Sequence, residues 1–249
     1  MEKTKIEGCF YKDGVPVEEG PVWAMSLKAA GSMRFRWNEC NVNRESFLSE
    51  IACSDHKIAQ IELIHSQKVY AVDDETVLKD VRGDGIITRN RCLIPVVTVA
   101  DCMPIYIYDP VSHVFGMLHS GWKGTGIVAK ALSLASEVYG SKAENFSIVL
   151  GPHIHDCCYR IDRERADYFA ENFGPDCVTQ DLHLSLVKAN LYVLRNCGVL
   201  DGNIMVCREC TCCNDVFGSF RRETSLLPEG TSLEERQKHF TVQAAWVKW

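Results

Sequence analysis

Cys102 and His119 are the residues of this 249-residue chain whose types and surroundings best suit chemistry. Each closes a short apolar run. Val96–Ala100 halts at Asp101-Cys102, ahead of Pro104, and Val114–Leu118 halts at His119, ahead of Gly121. A thiolate and an imidazole at neighbouring strand ends can hold Zn²⁺ or form a nucleophile–base pair. A third residue favours the metal. The run IAQIELI ends in His65-Ser66 in the same manner. A catalytic zinc site uses three protein ligands and leaves one position for water. Alone, each residue has a plainer reading: a buried Cys is a small hydrophobe, and a single His is a core or surface side chain.

These groups need strands and helices to position them. Residues 58–65, 92–100, 104–108, 113–119 and 146–150 read as strands, with later ones at Ile204–Val206 and Thr241–Trp246. Asp109-Pro110 lies between two of these runs, which implies a hairpin that sets Cys102 beside His119. Asp13-Gly14 is a hairpin signal near the start of the chain. Arg44–Ala52 reads as a helix capped by Asn43. Lys123–Tyr139 is the longest helical pattern, with Gly140 as its stop. Asp162–Phe173 and His183–Cys197 read as further helices. The mixture implies an α/β or α+β architecture.

The ordered motifs resemble the YfiH-like family, long labelled laccase-domain or polyphenol oxidase proteins. Leu63-Ile64-His65-Ser66, Val99 through Pro104 and His119 through Gly124 match its three signature segments. Gly83 through Thr88, Gly151-Pro152 through Tyr159, Asp181-Leu182 with Asn190, Cys210-Thr211, Phe217 through Arg222 and Asn43-Arg44 match others, so that residues 40–225 are mostly covered. The resemblance implies a single α/β domain over residues 1–249, layered α/β/β/α. It also implies a zinc enzyme of purine nucleosides: a phosphorylase of adenosine, inosine or methylthioadenosine that also deaminates adenosine. The family's metal ligands fall on His65, Cys102 and His119, and its substrate-side arginine on Arg44. Ser66, Ser120 and Lys123 depart from the pattern, which bears on substrate preference. The copper-oxidase label does not suit the residues, since multicopper chemistry needs many histidines and only two of the eight here sit in the three signature segments.

Several further residues are candidates. Asp101 is either the proton shuttle for deamination or a carboxylate orienting His65 or His119. Asp84 is a weaker candidate, because Gly-Asp-Gly also fits a plain turn. Arg44, Arg221 and Arg222 are expected to clamp phosphate, with Arg221-Arg222 as a solvated surface pair the alternative. Lys123 is expected at an anion-binding helix start. Phe220 or Tyr159 is placed to stack on a purine. Two other functions remain open: a metal-free Cys–His hydrolase using Cys102 and His119, and a non-enzymatic zinc or partner-binding protein.

Composition sets the outer limits. The hydrophobic share is 46%, the charged share 24% and the net charge −6. Nucleic acid is a poor partner for such a chain. No run is long and apolar enough for a membrane span, and the first residues lack the core of a signal peptide, so the expected compartment is the cytoplasm. Thirteen cysteines without a secretory signal point to reduced thiols. Within Cys207–Cys213 the cysteines resemble half of a metal knuckle, leaving a second metal site open.

Overall fold

The structure, a computed structural model, describes residues 3–249. The chain begins with β1 (Lys5–Gly8), a short hairpin of β2 (Tyr11–Lys12) and β3 (Val15–Pro16), β4 (Val22–Ser26) and α1 (Val42–Ala52). Then come β5 (Lys57–Gln60), β6 (Val69–Ala71), β7 (Gly85–Thr88), β8 (Leu93–Val99), β9 (Met103–Tyr108) and β10 (Phe115–Ser120). The second half runs α2 (Ile127–Tyr139), β11 (Ser147–Leu150), α3 (Arg163–Phe173), α4 (Leu186–Asn196) and β12 (Ile204–Val206). It ends with α5 (Phe220–Glu223), α6 (Leu233–Arg236) and β13 (Gln243–Lys248).

Two sheets form the centre. One has the order β1-β4-β13-β8-β5, the other β12-β11-β9-β10-β7-β6. Between them lies a core of large side chains, among them Trp23, Met25, Tyr106, Tyr108, Phe115 and Met117. Outside the first sheet, Leu48 and Ala52 of α1 cover Ile94, Val96 and Trp246. Outside the second, α2, α3 and α4 bury Ile127, Ala131, Phe169 and Leu194 against Ile105, Ile107 and Ile148. Strands apolar on both faces need cover on both, and the helices supply the outer layers. The layering is therefore α/β/β/α, as expected.

The Asp13-Gly14 turn forms with φ of 51° and 77°, both left-handed, as a two-residue hairpin turn requires. Other boundaries shift. The cap of α1 is Asn41, whose side chain accepts from the Arg44 backbone N–H, while Asn43 donates to the Ala30 carbonyl. The helix expected from Lys123 starts only at Ile127, because Gly126 (φ 97°) breaks the helical path. The strand expected to reach His65 stops at Gln60.

Candidate metal centre and substrate cavity

The site lies where the chain passes from one sheet to the other. β8 belongs to the first sheet and β9 to the second. The passage is Ala100-Asp101-Cys102, with Asp101 at φ 77°. β9 then pairs with β10 antiparallel, His119 opposite Pro104 and Ser120 opposite Met103. The expected hairpin thus forms and sets Cys102 next to His119. His65 arrives by a different route. It sits in a loop at φ 58°, and its ring meets that of His119 edge-on, with centroids 4.9 Å apart. Donor atoms of His65, Cys102 and His119 all lie within 4.8 Å of one another. Gly121 makes room for this approach, since a Cβ there would stand 2.8 Å from the Cys102 sulfur.

Asp84 holds the group together. Fully buried, it accepts from His119 Nδ1–H at 2.9 Å through Oδ1. The same oxygen accepts from the His65 backbone N–H at 2.9 Å. Oδ2 takes both the backbone N–H and the hydroxyl of Ser66 at 2.6 Å. Binding at Nδ1 leaves His119 Nε2 as its free nitrogen. Ser66, where the family pattern has glycine, thus anchors the His65 loop.

The electrostatics match a ligand set. Burial pushes the Cys102 thiol up, but the neighbouring His119 and His65 imidazoles outweigh it and bring it down to about 6. Burial draws the His119 ring down, yet the Cys102 charge and the Asp84 bond lift it to about 10. The sulfur is thus held as thiolate at neutral pH, the form a metal requires.

Above the three donors opens a cavity of about 460 Å³, within the range of small-molecule sites. Its walls include Phe35, Trp122, Tyr159, Phe220 and Phe240, with cations at Arg34, Arg36, Arg165 and Arg221. Arg36 is spent on Glu62 at 3.1 Å and Arg34 on Glu39 at 3.2 Å. Arg165 lies over the Trp122 ring, 4.1 Å from its centroid, and its buried Nε has no hydrogen-bond partner. Nothing in the sequence motifs pointed to Arg34, Arg36 or Arg165. Their only signal was charge on elements that fold over the cavity.

The expected site residues divide. Arg221 lines the cavity, gripping the carbonyls of Cys158 and Arg160 with its guanidinium. Tyr159 and Phe220 line it too. Asp101 reaches the wall but does not orient either histidine. Its carboxylate accepts from Thr211 Oγ1 (2.7 Å), Ser219 Oγ (3.0 Å) and the Arg221 backbone N–H (2.6 Å). It fastens the 211–221 segment to the strand crossing, and the orienting part expected of it belongs to Asp84. Arg222 does not line the cavity and binds the carbonyls of Thr211, Cys212, Asn214 and Phe217. It is neither a solvated pair with Arg221 nor placed to clamp phosphate. Lys123 is exposed and lies 5.2 Å from the ring centroid of its neighbour Trp122, outside the cavity lining and four residues before the helix that was to present it. Arg44 is 3% exposed and lines a separate 270 Å³ pocket with Phe35 and Gln60. There it donates to the Met33 carbonyl and Gln60 Oε1 and packs over Phe35. Burial lowers its pKa to about 10. Arg44, expected to clamp phosphate, is held by these protein groups and does not line the main cavity.

Comparison with known proteins identifies the architecture. A family model described as multi-copper polyphenol oxidoreductase laccase matches residues 26–231. The chain belongs to this laccase-like, YfiH family. A relative from Borreliella burgdorferi, named purine nucleoside phosphorylase, is 30% identical over 174 residues, 67% of this chain and 74% of its own. Adenosine deaminase RL5, from an unknown prokaryotic organism, is 29% identical, over 64% of this chain and 67% of its own. The mouse purine nucleoside phosphorylase LACC1 is 31% identical over 64% of this chain, which spans only 38% of that protein. Among solved structures, YfiH of Bacillus licheniformis superposes with a TM-score of 0.77 at 23% identity, covering 92% of each chain. That likeness concerns the fold.

Proposed function

We propose that this family member is a purine nucleoside phosphorylase, a transferase, that also deaminates adenosine hydrolytically, working as one catalytic domain over residues 1–249 with Zn²⁺ at His65, Cys102 and His119. The observation that carries the reading is the convergence of these donors beneath an aromatic, arginine-walled cavity. Two imidazoles and a thiolate suit zinc, and the small number of histidines does not suit multicopper chemistry. Relatives named for both activities support the substrate class. All thirteen cysteines are unpaired, which agrees with a cytoplasmic setting. Among the described residues, no helix is long and apolar enough to cross a membrane.

When bound, the zinc would supply a Lewis acid and a water acidified toward neutral pH. The chain's own residues do the rest. Asp84 fixes the His119 tautomer and holds the His65 loop. Tyr159 and Phe220 offer rings to a purine face. Arg221 and Arg165 supply cationic donors for phosphate, Arg165 with a nitrogen still free. Leu63, Ile154 and Leu186 form apolar wall that limits water around the base.

A second reading rests on the Cys102–His119 pair alone. A thiolate beside a protonated imidazole is also the resting state of a Cys–His hydrolase. One experiment separates the readings: incubation with adenosine and inosine, with and without phosphate, before and after chelation, and identification of products by mass. Phosphate-dependent release of free base and ribose phosphate, lost on chelation and restored by zinc, supports the proposal. Chelator-resistant hydrolysis would support the thiol enzyme instead, and zinc uptake with no turnover of any nucleoside would leave a binding protein.

A further inference from the structure

A second set of sulfurs lies apart from the His65–Cys102–His119 group. β11 and β12 are parallel neighbours, Ile148 beside Ile204 and Leu150 beside Val206. Both therefore leave the sheet at the same edge, and the loops that follow run together. His153 pairs with Cys210 as an isolated bridge, and the Thr211 N–H donates to the His153 carbonyl at 3.0 Å. Cys157-Cys158 of the first loop thereby meets Cys210 and Cys213 of the second. Sulfur separations are 3.3 Å for Cys158–Cys213, 3.6 Å for Cys157–Cys213 and 3.8 Å for Cys157–Cys158. All four sulfurs lie within 4.8 Å of one another.

Four thiolates around one zinc at a bond length of ~2.3 Å stand roughly 3.8 Å apart at the corners of a tetrahedron. The three shortest separations, 3.3–3.8 Å, run up to that value, and none in the set exceeds 4.8 Å. Cys210 and Cys213 also have the C-x-x-C spacing of a metal knuckle, and one backbone N–H already bonds a knuckle sulfur. The Cys210 sulfur accepts from the His155 N–H at 3.4 Å. Such N–H donors orient a ligating sulfur and temper its charge. Cys157 and Cys158 are adjacent and not spaced, but the turn at 155–158 sets both sulfurs toward the same point.

We propose that Cys157, Cys158, Cys210 and Cys213 bind a structural zinc ion that ties the 151–161 loop to the 207–219 segment. The two loops carry part of the cavity wall. Tyr159 follows Cys158 directly, Arg221 grips the Cys158 carbonyl, and Thr211 holds Asp101. The ion is therefore a brace behind the substrate cavity. It has four protein ligands and no open position, so it takes no part in turnover.

The test is metal content of protein purified without oxygen. The native chain should hold two zinc ions. The Cys102→Ala variant leaves the four cysteines untouched and should hold one. Replacing that remaining zinc with cobalt should give the intense charge-transfer bands of a four-thiolate site, and stripping it should lower the melting temperature of Cys102→Ala. A Cys210→Ser/Cys213→Ser variant should retain only the ion at His65, Cys102 and His119. A metal-free Cys102→Ala protein with all four thiols open to alkylation would overturn the proposal. So would a disulfide linking Cys213 to Cys157 or Cys158 in the anaerobic protein. Neither result would touch the nucleoside reading, which depends on the other donors.

Discussion

Asp84 grips His119 by the ring and His65 by the backbone, each at 2.9 Å and through the same carboxylate oxygen. One buried side chain thus sets two of the three proposed zinc ligands, although it lies 19 positions from one and 35 from the other. Asp84→Asn should therefore act on metal binding. An amide at Oδ1 can still face the Nδ1–H, but it carries no charge, and at Oδ2 it offers a donor where Ser66 also donates. Loss of such a partner weakens metal affinity by about 10–100-fold. Competition with a calibrated chelator measures it, and an unchanged zinc affinity would mean Asp84 only supports the fold.

Cys102→Ser should cost far more than Asp84→Asn. A hydroxyl stays protonated at neutral pH, whereas the thiol is already a thiolate above about pH 6 in its pair of imidazoles. Zinc should leave the site and phosphorolysis should fall to background. Full turnover by this variant would exclude both the zinc reading and the thiol hydrolase.

Arg44→Ala is expected to be a stability variant. Truncation leaves the Met33 carbonyl and Gln60 Oε1 without their donor and removes the cation from Phe35. A cost of about 1–3 kcal/mol follows from unsatisfied buried acceptors. Urea unfolding should show it, with zinc content unchanged. A stability loss below about 0.5 kcal/mol, the usual range for surface sites, would show that these contacts contribute little to the fold.

His153 should make the fold sensitive to acid. Burial pulls its ring down to about 3, and only Nδ1 has a partner, the Gly151 carbonyl at 2.8 Å. The folded state keeps the ring neutral, while the unfolded chain takes up a proton below about pH 6.5. Stability is therefore unaffected above that point and falls as pH drops toward 3, by up to about 1.4 kcal/mol per pH unit. His153→Asn should flatten the decline in melting temperature between about pH 6 and about pH 4. Parallel curves for the two proteins would assign the acid loss to other groups.

How far the site was legible follows from where its signals lie. Cys102 and His119 could be read because each ends a local apolar run and a short turn joins their strands. His65 could be read by its residue type, but for a partly wrong reason: its strand ends five residues earlier, at Gln60, and a left-handed loop delivers the ring. Asp84 was underrated because Gly-Asp-Gly is locally indistinguishable from a turn, and its partners are distant in sequence. Arg44, Arg222 and Lys123 were misplaced together. A cation's local neighbours do not reveal whether carbonyls from elsewhere will close around it. The mixture of strands and helices pointed to sheets covered by helices, but the α/β/β/α order came with the family resemblance, and β1, β4, β6 and β7 were not picked out by pattern alone.

The place of β13 has a consequence for how the molecule is made. It lies between β4 and β8, with Ala245 opposite Met25 and Trp246 opposite Val96. These pairs join residues about 220 and about 150 positions apart. On the ribosome, β4 and β8 emerge many seconds before the strand that must separate them, at a synthesis rate of roughly 5–20 residues per second. Through that interval their apolar edges wait unpaired or pair wrongly with each other. Non-local pairing of this kind folds slowly and leaves the chain exposed to aggregation until β13 is in place.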